Sequence, residues 1–229
     1  MILRGLQKTG LLDFPGLLSC TVFTGGCNFR CPFCHNASLV RGGEAELTEE
    51  ELFAFLDKRK GLLDGVCVTG GEPCLHDDLP RLLRAIKERG YKVKLDTNGS
   101  RPEMLSRLLS ERLLDYVAMD IKNAPEKYPF TCGTKESAWD KVTESLALLR
   151  ESGVAFELRT TLVKGHHTPA DLVAIGKAVA PAPLYFLQNF EDSGDVLTDG
   201  LSGFSKEELG ELLDAVLPYL PNAKLRGVY

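Results

Sequence analysis

Short apolar runs rich in Val, Leu, Ile and Phe alternate along the chain with amphipathic stretches that begin on helix-start signals. Runs of this kind, bounded by turn residues, suit strands buried on both faces of a parallel sheet. Six qualify: Leu18 to Thr24, Gly65 to Thr69, Lys92 to Asp96, Tyr116 to Ile121, Ala155 to Val163 and Leu184 to Gln188. Between them, Thr48 with Glu51, Ser100 with Glu103 and Ser205 with Glu208 each place a hydroxyl three residues before a carboxylate. At that spacing the cap and the carboxylate satisfy two orphan backbone amides reciprocally. Thr168 followed by Pro169 predicts one more helix start, and Gly61, Gly90 and Gly153 stand where helical periodicity stops. Strand and helix alternating in this way predict an α/β fold, with right-handed crossovers making a partial (β/α)6 TIM-like barrel more economical than a sandwich. Ala180-Pro181-Ala182-Pro183 is the nearest approach to a linker and reads as a tight lead into the sixth strand, so a single domain over residues 1–229 is expected.

Composition narrows the partners. The formal net charge is -5 with acidic and basic residues interspersed, so no cationic face marks a nucleic-acid partner. The opening MILRGLQKTGLLDF lacks the apolar core of a signal peptide, and no run approaches the roughly 20 apolar residues needed to span a bilayer. A cytoplasmic protein without membrane contact is expected. Seven cysteines, an odd number, argue against a disulfide framework and for reduced thiols, some of them metal ligands.

The thiols cluster. Gly25 to Asn36 read GGCNFRCPFCHN, placing Cys27, Cys31 and Cys34 at C-x3-C-x2-C spacing directly after the first predicted strand. Cysteine thiolates hold iron-sulfur clusters, and three of them on one loop leave the fourth iron of a cubane open for reaction. Zinc is the alternative, with His35 or a distant Cys as fourth ligand, but structural zinc sites usually pair two C-x2-C knuckles and one is present here. Three unligated core cysteines are disfavoured by Asn28, Arg30 and Pro32 between them.

With these residues in view, the chain resembles the radical S-adenosylmethionine (SAM) superfamily, and within it the anaerobic ribonucleoside-triphosphate reductase activating proteins; pyruvate formate-lyase activating enzyme is a more distant relative. The likeness runs through GLQKTGLLDFPG (Gly5 to Gly16), the cysteine loop, KGLLDGVCVTGGEP (Lys60 to Pro73), KLDTNGS (Lys94 to Ser100), VAMDIK (Val117 to Lys122) and LRTTLV (Leu158 to Val163). The resemblance implies a barrel of the radical SAM type, a [4Fe-4S] cluster on Cys27, Cys31 and Cys34, and S-adenosyl-L-methionine bound at the open iron. It implies reductive cleavage of that cofactor to a 5'-deoxyadenosyl radical, which abstracts hydrogen from a glycine of a partner glycyl-radical enzyme. The implied partner is anaerobic ribonucleotide reductase, with reduced flavodoxin or ferredoxin as electron donor. No side chain is assigned as a catalytic acid, base or nucleophile.

The resemblance also distributes cofactor contacts. Gly70, Gly71 and Glu72 would receive the amino end; Phe33 would pack near the adenine, beside Cys34 and His35; Gln188 would contact the nucleoside. Physically, paired glycines let backbone approach a ligand closely. Asp96 and Asn98 end the third predicted strand, and Asp120 and Lys122 the fourth, where charges converge on a zwitterionic, hydroxylated ligand. Each has a plainer reading: Asn-Gly is a common turn, Arg159 in an apolar strand often answers a structural carboxylate, and Gln188 can be a solvated strand end. Cys20 and Cys67 read as small core residues, Cys74 and Cys132 as free thiols, and His166 and His167 as residues preceding a helix. No cysteine lies between Cys34 and Cys67, so a second cluster in a ferredoxin-like insert there is not supported. Two other functions remain open: a radical SAM enzyme acting on a small molecule or peptide, and a non-catalytic metal-binding redox sensor.

Overall fold

The computed structural model describes residues 1–227. Eight strands form one sheet whose spatial order follows chain order: β1 (Leu3–Gly10), β2 (Ser19–Thr24), β3 (Gly65–Gly70), β4 (Lys92–Thr97), β5 (Tyr116–Asp120), β6 (Ala155–Leu162), β7 (Tyr185–Asn189) and β8 (Ala223–Arg226). β1 runs antiparallel to β2, and β2 through β8 are parallel. Parallel neighbours need crossovers, and six sets of helices supply them. α1 (Ala37–Val40) and α2 (Glu49–Lys58) join β2 to β3; α3 (Leu79–Glu88) and α4 (Pro102–Ser110) serve the next two connections. α5 (Tyr128–Cys132) with α6 (Trp139–Ser152), then α7 (Pro169–Val179) and α8 (Lys206–Val216), complete the series. Among the described residues β1 and β8 do not pair, so the barrel stays open.

This is the expected (β/α)6 partial barrel with one further strand at each edge. Both extra strands lack the apolar run of a buried strand. β1 is half-exposed and includes Gln7, Lys8 and two glycines, while β8 has four residues, two of them Lys224 and Arg226. Edge strands are commonly short or charged, which protects an open row of hydrogen-bonding groups.

The inner strands are buried on both faces as expected, but the two faces differ. Side chains alternate across a strand. Val22, Val66, Val68, Val93, Leu95, Val117 and Leu158 join the core with α-helical residues such as Leu56, Leu83, Leu105 and Ile175. Their neighbours Thr21, Thr69, Asp96, Asp120, Arg159 and Gln188 face the barrel interior and line its cavity. Burial is therefore double-sided, but the inner face is polar.

Capping boxes form at Thr48 with Glu51 and at Ser205 with Glu208, and Thr168 makes one with Asp171. The box expected at Ser100 does not form: α4 starts at Pro102 behind Arg101, without a side-chain cap. Proline presets the first helical φ and has no amide to satisfy. The Ser100 hydroxyl turns instead to Asn98 Oδ1 at 2.6 Å and accepts from Asn28 Nδ2 at 2.8 Å. Gly153 ends α6 in the left-handed region, φ +72°, as expected. Among the described residues no helix is long and apolar enough to cross a membrane.

Candidate active site

The C-terminal ends of β2 to β7 share one edge of the sheet, and a cavity of about 400 Å³ opens there. Cys27, Cys31 and Cys34 line it together with Phe33, His35, Gly70, Gly71, Glu72, Asp96, Asn98, Asp120, Lys122, Arg159 and Gln188. Every cluster and cofactor residue singled out in the sequence thus meets at one mouth. Asp13, Thr21, Phe23, Phe29 and Thr69 also line it without having been foreseen. Asp13 comes from the loop after β1, the strand that the apolar pattern did not reveal.

β2 delivers the cysteine loop, and backbone bonds shape it. Gly26 N donates to Leu39 O at 2.8 Å, Cys27 N to Val40 O at 3.3 Å, and Cys34 N to Cys31 O at 3.0 Å. The glycines of β3's exit lie directly against it: Gly71 N donates to Thr24 O at 2.9 Å and Glu72 N to Gly26 O at 2.8 Å. A Cβ on Gly71 would collide with the Gly26 carbonyl, so close backbone approach is what this glycine provides.

All three thiols are free. Burial pushes Cys27 up to about 12, with Glu72 adding to the effect, and burial raises Cys34 as well. Cys31 moves down, chiefly through the nearby Cys132 thiol and against its own burial. Thiols bind metal as thiolates, so loading exchanges protons for metal. Three thiols on one loop lining one cavity are the donor set of a cubane cluster, in which each sulfur meets a different iron.

Glu72 is 1% exposed, and burial raises its pKa against the groups that donate to it. Its Oε1 accepts from Cys74 N at 3.0 Å and Thr97 Oγ1 at 2.8 Å, and its Oε2 from Asn98 N at 2.6 Å. Three protein donors make it a brace between the exits of β3 and β4. Asn98 extends the brace: its Nδ2 donates to Asn28 Oδ1 at 3.0 Å, inside the cysteine loop. Asn28 was legible only as a polar residue unsuited to a core.

A chain of alternating charge crosses the cavity floor. Lys94 pairs with Asp96; Arg159 Nη1 donates to Asp96 Oδ2 at 3.1 Å and its Nε to Asp120 Oδ1 at 2.9 Å; Lys122 Nζ reaches Asp120 Oδ2 at 2.9 Å. Burial opposes ionisation of Asp96, Asp120, Lys122 and Arg159, and pairing outweighs it. Arg159 and Lys122 hold Asp120 at about 2, Arg159 and Lys94 hold Asp96 down, and Asp120 with Cys31 holds Lys122 up. Within the cavity lining, Lys122 and Arg159 are the cations beside Asp96 and Asp120, so both signs of charge are presented to a zwitterionic ligand. Arg159 therefore answers structural carboxylates, and those carboxylates line the cavity.

Phe33 is buried against the rings of His166 and His167, with centroids 5.9 and 6.2 Å away. His167 Nδ1 accepts from Val163 N at 3.1 Å and Nε2 donates to Lys122 O at 2.9 Å, so His167 ties two loops together. His35 lies 5.2 Å from Phe190, ring to ring. Cys20 and Cys67 are core residues, Cys67 with its sulfur 3.7 Å from Asp96 Oδ1, and Cys74 is buried behind Glu72.

An open barrel whose first crossover presents three thiols beside a glycine-lined, charged cavity has the donor set for a cubane cluster and a zwitterionic cofactor. The family model of the radical SAM superfamily matches residues 21–175, and the chain belongs to that superfamily, whose members use a [4Fe-4S] cluster and S-adenosylmethionine. A Methanocaldococcus jannaschii protein provisionally named a glycyl-radical enzyme activating enzyme is 32% identical over 99% of this chain and 96% of its own. The pyruvate formate-lyase-activating enzyme of Clostridium pasteurianum is 31% identical over 70% of this chain and 68% of its own. A provisionally named GTP 3',8-cyclase of Pyrobaculum aerophilum is 32% identical over 64% of this chain and 48% of its own. Among solved structures, a radical SAM methyltransferase from Sphaerobacter thermophilus superposes with a TM-score of 0.72 at 16% identity, covering 92% of this chain and 68% of that one, a likeness of fold.

Proposed function

We propose that this radical SAM enzyme is a glycyl-radical-generating activating enzyme, whose partner is anaerobic ribonucleoside-triphosphate reductase and whose electron comes from reduced flavodoxin or ferredoxin in the cytoplasm. In this reading residues 1–229 act as one domain. The observation that favours it is the extent of the likeness to an activating enzyme, which runs almost end to end in both chains. The cyclase likeness stops at about half of that relative's length.

Cys27, Cys31 and Cys34 hold the cluster. When bound, the cluster and cofactor supply one-electron cleavage of a sulfonium bond to a carbon radical. The chain's own residues supply position. Gly70 and Gly71 offer backbone to the cofactor's amino end at no steric cost. The braced carboxylate of Glu72 keeps that edge rigid, and Asn98 ties it to the cysteine loop. The cations Lys122 and Arg159 would face the cofactor's carboxylate, with Asp96 and Asp120 holding them in place. Phe33, His35 and Gln188 line the remaining wall, where purine and ribose are received.

The test is anaerobic mixing of reconstituted protein, reductant and S-adenosylmethionine with candidate glycyl-radical enzymes, read by electron paramagnetic resonance. A glycyl doublet on the reductase is expected. Formation of 5'-deoxyadenosine with no doublet on any candidate would move the function to a small molecule or peptide; no cofactor cleavage at all would favour a redox sensor.

A further inference from the structure

Residues 190–203, between β7 and α8, leave the sheet and return to it at one point. Asn189 closes the neck: its Nδ2 donates to Phe204 O at 3.0 Å and its Oδ1 accepts from Phe204 N at 2.8 Å. A Cβ on Gly203 would collide with the Phe190 carbonyl, so glycine lets the two ends meet. Loops with joined ends are compact and frequently functional. This one reaches the cysteine loop as a strap and holds both flanks of Cys34. Before that cysteine, Pro32 O accepts from Thr198 N at 3.0 Å; after it, Ala37 N donates to Asp195 O at 3.2 Å. The Asp195 carboxylate takes the next residue as well, with Ser38 N donating to Oδ1 at 3.1 Å and Ser38 Oγ to Oδ2 at 2.7 Å. Among the described residues no ladder joins the first strand to the last, so the strap links the two ends of the cavity on the open side of the barrel.

We propose that Asp195 is a positioning residue for the iron-sulfur centre: by clasping Ser38 it fixes the strap against the cysteine loop and keeps Cys34 where its sulfur meets the cluster. This rests on the assignment of Cys34 as a ligand. The loop is held elsewhere by other means, Cys27 by the Val40 carbonyl and Asn28 by Asn98 and Ser100. Among the described residues, the hydrogen bonds that residues 32–38 make beyond their own loop all go to the strap. Groups that orient a metal ligand from behind govern how tightly the metal is kept. Asparagine can repeat the clasp without charge, its carbonyl accepting from Ser38 N and its amide donating to Ser38 Oγ. Alanine leaves only the backbone bond from Ala37.

The experiment follows iron release from the reconstituted holoprotein to a ferrous chelator, without oxygen, S-adenosylmethionine or partner protein. It compares wild type, Asp195→Ala, Asp195→Asn, Ser38→Ala and the double alanine variant, with release expressed per loaded cluster. Iron loss is expected to be about three- to tenfold faster in Asp195→Ala, the factor that one or two hydrogen bonds of ordinary net strength give. Asp195→Asn should stay near wild type, and the double variant should be no faster than Asp195→Ala alone. An unchanged release rate in Asp195→Ala overturns the proposal. Equal acceleration in Asp195→Asn also overturns it, since charge and not the clasp would then be responsible, and so do additive effects of the two alanines, which would make Ser38 and Asp195 independent. Absence of iron and labile sulfide from reconstituted wild type would instead remove the ligand assignment itself, a different failure. None of these readouts depends on which substrate receives the radical.

Discussion

Arg159 on β6 and Asp120 on β5 are register partners in the sheet, and the guanidinium Nε donates to the carboxylate at 2.9 Å inside the barrel. The same guanidinium reaches Asp96, so one side chain holds two carboxylates that line the cavity. Removing it leaves both with a lysine but without their shared partner. Arg159→Ala is expected to cost about 3 kcal/mol, the low end for breaking a buried pair because Asp120 keeps 27% side-chain exposure. Urea unfolding of the metal-free chain measures this, and S-adenosylmethionine affinity should fall with it.

Acid should expose the same network. Asp120 sits at about 2, below its ordinary value near 3.8. A depressed carboxylate adds stability that is present above the ordinary value and lost as pH falls through the folded one. Unfolding free energy should therefore drop by about 2 kcal/mol on this account between roughly pH 5 and pH 2. Asp120→Asn should flatten that part of the profile; an unchanged acid limb would show that Asp120 is not held down.

Gly71 and Gly210 make a matched pair. A Cβ on Gly71 meets the backbone of Gly26, whereas nothing lies within 4 Å of one on Gly210, in helix α8. Gly71→Ala should displace the cysteine loop and lower the iron content after reconstitution. Gly210→Ala should leave iron unchanged and raise stability by about 0.5–1 kcal/mol through helix propensity. Equal iron content in the two variants would contradict the close-approach argument.

Cluster and cofactor roles should separate. Cys31→Ala is expected to abolish cofactor cleavage through loss of the cluster. Asp120→Ala should weaken S-adenosylmethionine binding, read as a higher concentration for half-maximal 5'-deoxyadenosine formation, with the iron-sulfur absorbance retained. Wild-type cleavage in the Cys31 variant would refute its assignment as a ligand.

How far the sequence led depended on whether the signal was local. Six strands and their crossovers were legible because apolar runs and caps repeat within short windows, and the cysteine spacing lies within one loop. Contacts between strands were not. Lys94 and Asp96 share a strand face two residues apart, but Arg159 joins them only through the register of β4, β5 and β6. Ser100 has the local form of a cap, yet Pro102 makes that cap unnecessary and the hydroxyl serves the cysteine loop through Asn28. The bond from the Arg30 amide to the Cys132 carbonyl offered no local pattern, because the two lie about a hundred residues apart and meet only when α5 folds onto the cysteine loop.

The most direct test of the account is metal analysis of protein purified and reconstituted without oxygen. It predicts about four iron and about four acid-labile sulfide per chain. About one zinc per chain with no labile sulfide would contradict it.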